Sequence, residues 1–498
     1  MRRSSGRSVG GRRLGAAELP GLFPARLVRS GAAAVRAANA AAAVLSAGLP
    51  VADYRVMDLD ALSRAERMLW VAFPRGEWAD LRSGDVDMDD PANTDGWEPE
   101  RMVRAEVIAG LLLGAGDLEP GRVPAVRLRG VRITGSLDLM GAVISHALVL
   151  EGCRLDQPLR LAEAATKTVR IVESHLPGFN GVRMRAEGIL SFYCSIINGR
   201  VRLNWAQVAG EISLRGAQAG DGTGEAITAT GLTVDGMHCD IGFTARGLVT
   251  LNGARIAGRL SFQDAVLLGT PAALQLDRLQ ASELSLRTAV PITGSLYLAH
   301  AHVGTLEDDP ALWPADISLN GFTYDSIRHR TGRVPVTERL DWVSRSPLGY
   351  QPHPYEQLAS YYRRTGHDDD VRRVLLAKQR HRRTTLSAPG RIAGRLLDAT
   401  VGYGYRPWLA AIWLALLLAL GTTVYAIHHP HALTGGPVPP FNPFTYTLDL
   451  LIPIGAFGLR TAYASTGAAQ WLADAFIAAG WILATAVIAG ITRTVGRN

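Results

Sequence analysis

Five eleven-residue segments of the chain align without a gap: RITGSLDLMGA (132–142), IINGRVRLNWA (196–206), QVAGEISLRGA (207–217), RIAGRLSFQDA (255–265) and PITGSLYLAHA (291–301). They share an aliphatic residue at position two, glycine at four, a second aliphatic at six, Leu or Phe at eight and Ala at eleven. Intervening segments keep the apolar pair with drift, as in Leu148 and Leu150, Leu159 and Leu161, Val169 and Ile171, Leu190 and Phe192, and Leu284 and Leu286. A fixed internal period of this kind marks a repeat architecture. Positions six and eight alternate with period 2, so the pair points inward from a short strand while the residue between them faces water. The glycine reads as the residue that permits a tight corner, and the closing alanine as one that fits a crowded interior turn. No unit is amphipathic enough to stand alone; stacked at ~4.8 Å per rung, the units form continuous ladders of Leu and Ile. With two units per coil of about 22 residues, Val123–Ile327 holds about nine coils and a rod of roughly 45 Å. Right-handed winding is the default for parallel crossovers. The expected fold is therefore mainly β, a right-handed β-helix.

The remaining sequence divides around this rod. At 498 residues the chain exceeds one compact core. Its 53 glycines and 7% aromatic content suit a turn-rich solenoid. Residues 1–56 are rich in Arg and Ala, and Arg26, Arg29 and Arg36 interrupt every apolar run, which argues for a disordered tail and against an export signal. Over 57–122 a helical cap for the open end of the solenoid is predicted. Ser63 and Glu66 have capping-box spacing ahead of Met68, Leu69, Val71 and Phe73. A second helix is predicted over Pro99–Leu113.

A helical, basic neck is expected over 328–405, with helices at Tyr355–Arg364 and Asp368–Arg383 and Asp368 as N-cap. Residues 406–498 form a membrane anchor. Within it, 408–427 and 471–491 are long enough and apolar enough to cross a bilayer, whereas 441–459, interrupted by Pro453 and carrying Asp449, lies in the interface or re-enters. Arg372, Arg373, Lys378, Arg380, Arg382, Arg383, Arg391 and Arg395 precede the first span, and Arg493 and Arg497 follow the second. By the positive-inside rule both flanks, and hence both termini and the solenoid, are cytoplasmic in a multi-pass protein of the plasma membrane. The same cations suit anionic lipid better than nucleic acid, for which no recognition motif accompanies the net charge of +7.

No catalytic, cofactor-binding or metal-binding residue is assigned by motif. Cys153, Cys194 and Cys239 are too few and too scattered for a disulfide framework or a zinc site, and fit a reducing compartment. GDGTGEA (220–226) does not complete a dinucleotide fingerprint and reads as a solenoid corner. His238 beside Cys239, and His300 near His302, are neighbours along strands and poorly placed to share an ion. The acidic run DVDMDD (85–90) lacks the glycine and the glutamate of an EF-hand.

AERMLWVAFPRGEWADL, WEPERMVRAEVIAGLLLGA, the ITGSLDL units, PYEQLASYYRRTGHDDDVRRVLLAKQ, and YTLDLLIPIG followed by AGWILATAVIAGITR together resemble a family of actinobacterial membrane proteins with a pentapeptide-repeat-like β-helix. Members are often labelled membrane-associated oxidoreductases. The resemblance implies that label but transfers no catalytic residue, and the cofactor is unknown. Three functional readings follow: a membrane-anchored scaffold presenting the solenoid to a cytoplasmic protein partner, a membrane-associated oxidoreductase with a dispersed site, and a small channel or sensor.

Overall fold

The computed structural model describes residues 59–495 apart from 95, 96, 98, 331, 333, 434–438 and 453–456. All of these belong to one compact unit, Met57–Asn498, and the tail expected over 1–56 lies outside the described residues. The coil is traced by one inward column: Val126, Leu148, Val169, Leu190, Ile212, Met237, Leu260, Leu284, Leu306 and Ile327 are register partners through successive parallel ladders. Successive members lie 21–25 residues apart, and the first nine are at most 2% exposed. Two repeats therefore complete one turn of a parallel β-solenoid of about nine turns, with its two sheets holding 13 and 15 strands. Each fully buried aliphatic contributes about 1.5–3 kcal/mol, spread evenly along the rod.

The corner is made differently from the sequence expectation. Of the five position-four glycines, only Gly135 and Gly294 have positive φ. Gly210 and Gly258 sit inside continuous strands, Gln207–Ser213 and Arg255–Ser261. They are needed because a Cβ at Gly258 would lie 2.8 Å from the carbonyl oxygen of Asp235 in the coil before, and one at Gly210 would lie 3.0 Å from that of Gly188. The left-handed turn falls instead at position ten, where Gly141, Trp205, Gly216, Asp264 and His300 have φ between +56° and +68°. Three of these five carry a side chain and accept a strain of ~1–2 kcal/mol each. The alanine that follows is fully buried at Ala206, Ala217, Ala265 and Ala301.

Before the solenoid, α1 (Arg64–Ala72) begins at the predicted capping box: Ser63 Oγ accepts from Glu66 N at 3.2 Å, and Ser63 N donates to the Glu66 carboxylate at 2.8 Å. The helix predicted over Pro99–Leu113 is broken. Met102–Arg104 pairs as a strand with Arg132–Thr134, and only α2 (Ala105–Leu112) is α-helical. Ladder hydrogen bonds to the first coil outweigh the local helical pattern there. Leu69 of α1 and Ile108 and Leu111 of α2 join the solenoid core.

After it come α3 (Val336–Ser344), α4 (Pro352–Arg364), α5 (Asp368–Arg382), α6 (Ala388–Val401), α7 (Pro407–Ile427), α8 (Pro443–Leu451), α9 (Leu459–Ala462) and α10 (Ala468–Val495). His367, not Asp368, is the N-cap of α5. The last strand, Thr323–Arg328, would expose an open edge. Gln357 Nε2 donates to the carbonyl of Tyr324 at 2.7 Å, and Arg364 Nη2 donates to those of Tyr324 and Asp325 at 3.1 and 3.0 Å. Neck side chains thus occupy backbone acceptors that could otherwise template a second chain. Trp408–Ile427, within α7, is the one helix among the described residues long and apolar enough to cross a membrane.

Candidate functional site

One outward column runs beside the inward one. Arg185, Gln207, Thr233, Arg255, Gln280 and His302 are register partners on six consecutive coils. All six are exposed. Two residues further along each strand stand Glu187, Ala209, Asp235, Ala257, Ser282 and Gly304. Here the register shifts between Val208 and Glu211, between Val234 and Met237, and between Ile256 and Arg259, so each strand bends. The small side chains among them, Ala209, Ala257, Ser282 and Gly304, leave a trough of about 970 Å³ along the rod, walled by the polar column. It offers one set of hydrogen-bonding groups per coil, spaced at ~4.8 Å.

The next outward positions are occupied by their own ion pairs. Arg259 pairs with Glu283 at 2.5 Å and lies 3.8 Å from Glu307; Arg287 pairs with Glu307 at 2.8 Å, and Arg328 with Glu283 at 3.0 Å. Burial opposes ionisation of Glu307, but Arg287 and Arg259 hold its carboxyl below the usual range. One coil back, His238 Nδ1 lies 3.5 Å from Asp240 and 3.2 Å from Arg215, while Nε2 lies 3.6 Å from Glu211. Cys239 points the other way, into the core, where burial pushes its thiol well up. Strand alternation therefore separates the His238–Cys239 pair that the sequence places side by side. His300 packs over Gly321, and His302 Nδ1 lies 2.9 Å from Thr323 Oγ1, so these two also diverge.

The cations that precede the apolar helix α7 divide in two. Arg372 and Arg373 pair with Asp369 and Asp370, Lys378 with Glu356, and Arg380 and Arg383 both with Asp398. Burial raises the Asp398 carboxyl less than these two arginines lower it, so it stays below the usual range. Arg382, Arg391 and Arg395 are exposed and have no ion pair among the described residues.

In the apolar C-terminal part, Asp449 of α8 is fully buried within the protein. Its two carboxylate oxygens accept the backbone N–H groups of Phe457 and Arg460, each at 2.9 Å. The carboxylate thus fixes the chain after α8. Pro453 lies outside the described residues. Thr447 packs on Gly421 of α7, and the Leu451 carbonyl packs on Gly480 of α10, at positions where no Cβ would fit. α8 is wedged between the two long helices through these glycines.

No protein-family model, curated protein or solved structure matches the chain.

The trough residues carried only a faint sequence signal. Gln207 and Arg255 stand at position one of their repeats, but Thr233 and Gln280 fall in segments that drift from the template. A column with one member per 22 to 26 residues is invisible until register is known.

Proposed function

We propose that the protein is a membrane-tethered scaffold whose solenoid presents the Arg185–His302 trough to an extended polar segment of a cytoplasmic protein partner. The observation that carries this reading is a continuous column of exposed polar side chains over six coils, beside outward positions already consumed by ion pairs. Mixed charge in the trough, with Arg185 and Arg255 against Glu187 and Asp235, suits a peptide backbone and polar side chains better than a polyanion. In the same proposal α7 and α10 both cross the plasma membrane with both termini inside, α1 and α2 cap the first coil, and the winding is right-handed. The resemblance to actinobacterial membrane proteins belongs to this reading too.

A photo-crosslinking residue at Ala257 or Ser282, compared with one at Arg202 on another side of the rod, tests it in cells. A discrete adduct from the trough positions alone is expected. No adduct, or the same adduct from Arg202, refutes it.

One observation favours a second reading, a small sensor or channel: α8 wedged between α7 and α10 with its Asp449 fully buried. A cysteine at Phe444 that is labelled from the cytoplasmic side alone would contradict the re-entrant placement this reading needs.

A further inference from the structure

Helix α6 differs from the other neck helices in which side it hides. α4 and α5 bury Tyr355, Leu358, Tyr362, Val374 and Leu375 in the main core. α6 buries Gly394 and Val401, and its Asp398 is tied to Arg380 and Arg383, so its rotation on the neck is fixed. With that rotation its apolar face points away from the protein. Ile392, Leu396 and Leu397 are 59%, 61% and 47% exposed. Successive residues turn by about 100°, so these three with Ala393 make one continuous stripe, and Arg391 and Arg395 fall together at its border. Neither arginine has an ion pair among the described residues.

The stripe continues into the apolar helix. α6 ends at Gly402 with φ +55°, and Trp413 Nε1 of α7 donates to the Ala399 carbonyl at 3.0 Å. The end of α6 is thereby pinned beside the first half of α7, where Ile412, Trp413 and Leu416 are also exposed. An exposed apolar stripe bordered by unpaired cations, and continuous with a span, has the chemistry of a helix lying in a lipid interface.

We propose that α6 lies in the plane of the cytoplasmic leaflet, with Ile392, Leu396 and Leu397 below the headgroups and Arg391 and Arg395 on anionic phosphates. This rests on the reading that α7 spans the bilayer. It makes the neck a platform that sets the solenoid's orientation against the membrane, because Asp398 joins α6 to α5.

The test uses the full chain with Cys194→Ser and single reporter cysteines, placed one copy per nanodisc. An environment-sensitive fluorophore is read at positions 392, 396 and 397, at 382 as an aqueous control and at 416 as a control for the span. In phosphatidylcholine–phosphatidylglycerol discs, positions 392, 396 and 397 are expected to be quenched by nitroxides on the lipid chains, and position 382 not. Arg391→Gln with Arg395→Gln should lower the docked-to-free ratio by up to about thirtyfold on anionic discs, taking about fivefold per cation near the surface, and change it little on phosphatidylcholine alone. Quenching at 416 without quenching at 396 overturns this inference and leaves the span intact. Loss at 416 overturns the span itself. Shielding of 396 that occurs only when discs hold two copies assigns the stripe to a second chain and overturns the lipid placement.

Discussion

One buried ion pair sits at the joint between solenoid and neck. Asp308, at the end of a strand in the penultimate coil, is fully buried, and both its oxygens are held by Arg339 of α3 at 2.5 and 2.7 Å. Trp313 and Trp342 pack edge-on beside it at 4.9 Å. Burial raises the Asp308 carboxyl above its ordinary range, even with the guanidinium in contact. Arg339→Leu removes the guanidinium that holds both oxygens of that carboxylate and leaves a buried charge without its main compensation, a change that typically costs about 3–5 kcal/mol. The carboxyl can escape by taking up a proton. At pH 7, from an unfolded pKa near 3.9, neutralisation costs about 4 kcal/mol at 1.36 kcal/mol per unit, which caps the charge penalty. A carboxyl whose folded pKa is raised destabilises above its unfolded pKa and stops doing so below it. The deficit of the variant should therefore shrink by up to about 1.4 kcal/mol per unit as pH falls from 7, until the wild-type carboxyl, itself raised, also takes up its proton. Urea unfolding in mild detergent, followed by tryptophan fluorescence across that range, measures it. Adding Asp308→Leu to Arg339→Leu should recover most of the loss, because apolar replacement of a buried pair is often neutral. A deficit below about 1 kcal/mol, one independent of pH, or a double variant no better than the single would refute the reasoning.

Three further outcomes follow from the geometry. Gly258→Val places a side chain against the Asp235 carbonyl and should destabilise the solenoid by about 1–3 kcal/mol, read as a lower urea midpoint, whereas Arg202→Ala on the exposed outside should change it by less than about 0.5 kcal/mol. Folded protein should take up one maleimide per chain, at exposed Cys194, and three once unfolded, since Cys153 and Cys239 are buried and burial pushes the Cys153 thiol up to about 12. Burial opposes the charge on Glu66, but Arg104 and the Ser63 and Arg104 backbone N–H groups hold its carboxyl below the ordinary value of 4.5. Its contribution is present above that value and lost as pH falls through the folded pKa, so Glu66→Gln should flatten the acid limb of the stability profile.

Much of this architecture is written locally. Alternation of Leu137 with Leu139, or Leu260 with Phe262, fixes which side of a strand is inside, because a period of two needs no knowledge of the neighbouring coil. The eleven-residue spacing then fixes coil length, and the unbroken apolar run over 408–427 fixes α7. The capping box at Ser63 and Glu66 was legible for the same reason, its partners lying three residues apart.

What the tertiary structure decided depends on groups far apart in the chain. The turn residue was misread because glycine at position four has two possible causes, positive φ or close approach, and only the neighbouring coil distinguishes them. Position ten carries Trp205, Asp264 and His300, whose side chains give no hint of a left-handed backbone. The trough gathers residues from coils 22 to 26 positions apart, Asp308 finds Arg339 across 31 residues, and α6 shows its leucines outward only because Asp398 meets Arg380 and Arg383. The sequence by itself determined the inside of the solenoid, since burial follows local periodicity. Its outside, and with it every surface available for function, was set by register between coils and by which charges found partners at a distance.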